Sequence, residues 1–131
     1  MWGADATVRV CKLTARAEYA RRRTDLDRNA TGYPYAMVDP WFDKSGWYVE
    51  LEHPVVKRLG VVARYDHLER KGVPLPGSAA SLTPDSRIDR ISAGAIVTPA
   101  DSTFLKLSYE YWAAPDFAAF HSVRASVGAT F

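Results

Sequence analysis

The chain has 131 residues, room for one domain, and its 47% apolar against 24% charged residues exclude global disorder. Lysine plus arginine number 17 and aspartate plus glutamate 15; the net charge of +2 argues against nucleic acid or an acidic ligand as partner. A single cysteine, Cys11, excludes an internal disulfide and a cysteine metal cluster, and no apolar window reaches the length of a transmembrane helix.

Period-two alternation predicts seven strands and no useful helical period. The first, about Trp2 to Val10, sets Trp2, Ala4, Ala6 and Val8 against Asp5, Thr7 and Arg9. Cys11-Lys12 makes a tight turn into the second, about Leu13 to Thr24, with Leu13, Ala15, Ala17 and Tyr19 against Thr14, Arg16, Glu18 and Arg22. A long connection, about Asp25 to Asp43, is rich in Asp, Pro, Gly and aromatics. The third strand, about Lys44 to His53, sets Trp47, Val49 and Leu51 against Tyr48, Glu50 and Glu52, and Pro54 to Arg58 reads as a turn. The fourth, about Leu59 to Arg70, sets Leu59, Val61, Ala63 and Tyr65 against Val62, Arg64 and Asp66; a Gly-, Pro- and Ser-dense loop fills 71–86. The fifth, about Arg87 to Val97, sets Ile91, Ala93, Ala95 and Val97 against Arg90, Ser92 and Gly94, with a turn over Pro99 to Ser102. The sixth, about Thr103 to Trp112, sets Leu105, Leu107, Tyr109 and Tyr111 against Lys106, Ser108 and Glu110. After a modest loop, Ala113 to Ala118, the seventh runs from about Ala119 to Phe131. Each strand can pair antiparallel with the next, which predicts an all-β, up-and-down meander.

The last strand alternates strictly, with Val123, Ala125, Val127, Ala129 and Phe131 on one face and Arg124, Ser126, Gly128 and Thr130 on the other. It resembles the closing strand of Gram-negative outer-membrane β-barrels, whose terminal aromatic is read by the barrel-assembly machinery. Three regularities point the same way. Connections are short after strands one, three and five and long after two, four and six, as between the periplasmic and external ends of such barrels. One orientation then satisfies them all: 25–43, 71–86 and 113–118 external, and the turns near 11, 56 and 100 periplasmic. In that orientation Trp2, Tyr19, Trp47, Tyr65 and Tyr111 form an upper interfacial girdle above aliphatic positions, with Phe131 in a sparser lower one. Four or five outward positions per strand span roughly 20 Å, near the hydrocarbon thickness of an outer membrane. The many outward alanines would underpack a soluble core.

The opposite faces carry Asp5, Arg9, Arg16, Glu18, Arg22, Glu50, Glu52, Arg64, Asp66, Arg90, Lys106, Glu110 and Arg124. Charges this dense need partners or water, and in a barrel they line the lumen. Rows of arginine on neighbouring strands would attract anions; the plainer reading is an Arg–Glu ladder that holds the strands in register.

The segments AEYARR, GWYVELEHP, VVARYDHLER and RIDRISAGAIVTPADSTFLKLSYEYW, in that order and spacing, resemble the C-terminal part of bacterial porins of the phosphate-selective porin O/P type and their uncharacterised relatives. The resemblance implies passive diffusion of small solutes, often anions, through a trimeric barrel of about 16 strands in the outer membrane, among lipid and lipopolysaccharide. It carries over no individual phosphate ligand. Seven is an odd number where bacterial single-chain barrels use even ones, so the chain is expected to be the C-terminal part of a longer barrel. Met1-Trp2-Gly3-Ala4-Asp5 lacks signal-peptide features, which fits either a removed leader or an internal start.

Three other readings compete. One is a small plugged outer-membrane barrel with a structural or adhesive role and an eighth strand within 25–43. Another is a soluble β-barrel or sandwich. The third is an enzyme, disfavoured because neighbouring His121 and Ser122 point to opposite faces and neither His53 nor His67 has a nucleophile motif beside it. No cofactor, metal or catalytic residue is assigned. Asp25, Asp27, Asp39 and Asp43 read as a solvated acidic loop in preference to a Ca²⁺ site.

Overall fold

The computed structural model describes residues 1–25, 41–72, 85–115 and 117–129. Seven strands follow one another: β1 Trp2–Val10, β2 Leu13–Asp25, β3 Trp41–Val56, β4 Leu59–Lys71, β5 Asp85–Ala100, β6 Thr103–Ala114 and β7 Phe117–Ala129. They form one sheet in sequence order, every neighbouring pair antiparallel. Among the described residues the sheet is open: β1 and β7 each have one neighbour.

Most strands outrun their predicted ends. β3 begins at Trp41 because Arg23 pairs with Asp43 and Asp25 with Trp41 across β2, drawing part of the expected loop into the ladder. It continues through Pro54 to Val56. Proline is tolerated there because pairing with β2 stops at Thr14–Glu52 and the β3–β4 register slips between Pro54 and Val56. The same device carries β5 past Pro99, where the register slips between Val97 and Ala100. Thr98 N–H donates to the Arg58 carbonyl at 2.9 Å and Arg58 Nη1 to the Pro99 carbonyl at 2.9 Å, tying two turns at one end of the sheet. Cys11 opens the first turn with φ 54°, in the left-handed region that favours glycine.

One expectation needs correction. The connection after the sixth strand, expected as a long external loop over 113–118, is shorter than that, since β6 runs to Ala114, β7 begins at Phe117 and the two residues already pair. The alternation of long and short connections therefore holds for the segments 26–40 and 72–84 and fails at the third.

The two faces of the sheet are unlike. Among the described residues no hydrophobic side chain is buried, and the buried polar ones are Asp43 (7% exposed), Asp66 (8%) and Glu110 (6%). Val8, Val49, Leu51, Val61, Ile91, Leu105, Leu107 and Val123 all lie open on the aliphatic face. A soluble fold gains most of its stability from burying such groups, at about 25 cal/mol per Å². Here that surface is bare and the polar face is the packed one.

Candidate functional site

The polar face carries a ladder of ion pairs from β2 to β7. Arg16 Nη1 lies 2.8 Å from Glu50 and 3.0 Å from Glu52. Glu50 also faces Arg64 across the β3–β4 pairing, at 3.6 Å. Arg64 reaches Asp66 on its own strand at 2.6 Å, and Asp66 accepts from Arg90 on β5 at 3.0 Å. Arg90 stands 3.9 Å from Glu110 on β6, which lies 3.3 Å from Arg124 on β7.

The backbone explains the arrangement. Alternation puts all these residues on one face, and register sets Arg16 opposite Glu50, Glu50 opposite Arg64 and Asp66 opposite Arg90. The two deepest carboxylates of this face, Glu110 and Asp66, are fully compensated. Asp66 is held between two guanidiniums, and Glu110 also accepts from Trp112 Nε1 at 3.0 Å and Ser122 Oγ at 3.2 Å. Aromatic rings brace the cations: Arg64 lies 3.6 Å from the Tyr48 ring centroid and Arg90 4.9 Å from that of Trp112. For a buried charge with two partners and satisfied lone pairs, those interactions offset the desolvation cost that a lone one would bear uncompensated.

Of the predicted lumen residues, the structure brings together Arg16, Glu50, Glu52, Arg64, Asp66, Arg90, Glu110 and Arg124. Arg9, Glu18, Arg22 and Lys106 share the face without joining the ladder; Arg9 lies opposite Thr14, Glu18 opposite Tyr48 and Lys106 opposite Ser126. Tyr48, Trp112 and Ser122 were missed, although all three occupy the polar positions of their alternating strands.

The opposite face changes character along its length. Aliphatic residues give way to an aromatic row, then to charges. Trp2 packs on Tyr19 with centroids 5.0 Å apart and Trp47 on Tyr65 at 5.2 Å, while Tyr111 meets His121 at 5.1 Å. Two histidines thus join the five predicted aromatics, since His67 lies 5.7 Å from Trp47. Phe131, the expected lower member, lies outside the described residues.

Beyond the row, Arg21 Nε donates to Asp43 at 2.8 Å and Lys71 Nζ lies 3.2 Å from Glu69. Asp89 accepts from Tyr65 Oη and contacts His67 Nδ1, each at 2.7 Å. Asp43 is therefore not part of a solvated loop: it is buried in β3 against Arg21. Asp25 pairs with Arg23 at 3.2 Å, and Asp27 and Asp39 lie outside the described residues. His121 bonds to Tyr109 on the aliphatic face while Ser122 bonds to Glu110 on the other, as alternation requires.

No protein-family model, curated protein or solved structure matches this chain.

Proposed function

We propose that the chain is wall of a transmembrane β-barrel in the bacterial outer membrane, through which small solutes diffuse passively along the charged face. One observation carries the reading: the aliphatic belt is bare while two of the three buried side chains among the described residues, Asp66 and Glu110, are carboxylates of the opposite face, and the third, Asp43, lies beyond the belt at the charged rim. Such an inverted sheet suits a lipid exterior and an aqueous interior. The sequence of aliphatic belt, aromatic row and charged rim on one face supports it, since membrane interfaces favour aromatics between hydrocarbon and headgroups. On this reading lipid covers the belt, lipopolysaccharide meets the rim, and a homotrimer would form through the same outer face.

The test is planar-bilayer conductance of the refolded chain and of the same chain within its full upstream reading frame. Discrete conductance steps from either support the pore; silence from both, with a folded and membrane-inserted barrel, overturns it.

A second reading is a small plugged barrel with a structural or adhesive role. The ladder favours it at one point: its arginines and carboxylates neutralise each other across neighbouring strands. A heat-modifiable barrel that inserts and does not conduct would decide for it.

A further inference from the structure

The ladder stops unfinished at β7. Its sign alternates at every contact from Arg16 to Arg124, with Arg64 and Asp66 both on β4. Arg16, Arg64 and Arg90 each contact two carboxylates. Among the described residues Arg124 contacts one, Glu110, and its side chain is the most exposed of the four, at 62%. A second series runs beside the first on the same face. Arg90, Trp112 and Phe120 stand opposite one another across β5, β6 and β7. Arg90 lies over the Trp112 ring, which stacks on Phe120 with centroids 5.7 Å apart and planes 8° from parallel. Phe120, at the end of that series, is exposed. Among the described residues β7 has one neighbour, so its outer edge also presents unpaired backbone N–H and C=O groups.

We propose that the free edge of β7 is an interface for one antiparallel strand, which presents a carboxylate to Arg124 and an aromatic ring to Phe120. Main-chain hydrogen bonds would supply affinity and the two side chains specificity, as in strand addition to other open edges. The required face excludes copies of the described strands that border the opening. Phe117–Ala129 holds no acid, so β7 of a second copy leaves Arg124 with its single partner. The polar face of β1, with Gly3, Asp5, Thr7 and Arg9, holds no ring for Phe120. The occupant is therefore a strand of different sequence. The inference does not rest on the pore, because an open edge needs its strand whether or not the wall conducts.

The full chain, refolded in non-ionic detergent, is titrated with two dye-labelled peptides of alternating valine and serine. One carries glutamate and the other lysine at the position facing Arg124, and both carry tryptophan facing Phe120. Fluorescence anisotropy reads binding. The glutamate peptide should bind about tenfold tighter, one attraction gained and one repulsion avoided. Added salt should narrow the gap. R124Q should erase the preference, and K12Q, in the turn at the other end, should keep it. Removing the tryptophan from the peptide should weaken binding to the parent and leave binding to F120A unchanged. The two peptides are compared first on the parent chain, so the test holds where a variant fails to refold. Equal binding of both peptides, binding of neither, or an undiminished preference in R124Q overturns the interface. A stable dimer that neither peptide displaces overturns it too, by making a second copy the occupant. Silence in planar bilayers would sink the pore reading and leave the interface standing.

Discussion

The Arg64 guanidinium lies 3.6 Å from the centroid of the Tyr48 ring and at the same time donates to Asp66 at 2.6 Å. Stacking fixes the plane of the fork, and the fork then serves carboxylates on two strands, since Glu50 is also within 3.6 Å.

Replacing that residue tests the ladder at its middle. Arg64→Ala leaves Glu50 and Asp66 short of a partner and should destabilise the folded sheet by about 1–3 kcal/mol, reduced from the fully buried case by residual solvent screening. Arg64→Lys keeps the charge, loses the fork and the stacking, and should fall between the two. Urea unfolding in detergent reads both; a lysine variant as weak as alanine would show that charge alone contributes nothing.

Glu110 gathers Arg90, Arg124, Trp112 and Ser122. Glu110→Gln should therefore lower stability by about 1–3 kcal/mol. It should also change the emission of Trp112, whose indole N–H loses a charged acceptor. The comparison is wild type against variant in a background where the other tryptophans are phenylalanine. An unchanged spectrum would remove Glu110 from the Trp112 environment.

Leu107, 57% exposed on the aliphatic face, separates lipid from water as its surroundings. If the aliphatic face meets a bilayer, as proposed, Leu107→Arg should destabilise the fold by about 2–4 kcal/mol, as arginine does at a lipid-facing midplane position. In water the same exposed substitution would stay within about 0.5 kcal/mol. Heat-modified gel mobility after refolding into vesicles reads the difference.

Cys11 is exposed in the β1–β2 turn with a left-handed backbone. Cys11→Gly should stabilise by about 1 kcal/mol, because glycine has no Cβ penalty there. The thiol also reports sidedness. On the proposed outer-membrane reading, with this turn periplasmic, a membrane-impermeant maleimide should not label it in intact cells, and permeabilising the outer membrane should expose it; labelling of intact cells would overturn that orientation.

The seven strands, their order and the chemistry of their two faces were legible, because a period of two is a local signal that β3 keeps as far as Pro54 and β5 as far as Val97, where the registers slip. The aromatic row was legible for the same reason. Strand ends were less so: Trp41 and Asp43 read as loop, and only pairing with Asp25 and Arg23 across β2 draws them into a strand. The ladder was legible as a set of charges, not as pairs. Whether Arg22 meets an acid or a lysine depends on inter-strand register, which no single segment encodes. The short β6–β7 connection was misjudged because Ala113 and Ala114 are weak strand formers beside a Pro-Asp loop signal, and only their cross-strand partners show that they belong to the ladder.

The meander also has a handed traffic pattern. Strands one, three, five and seven all point the same way, so β1 and β7 are co-directional. Joined directly, they would meet as a parallel seam, with slanted hydrogen bonds in an otherwise antiparallel wall. A seamless antiparallel cylinder needs an odd number of additional strands between them, whichever polypeptide supplies those strands.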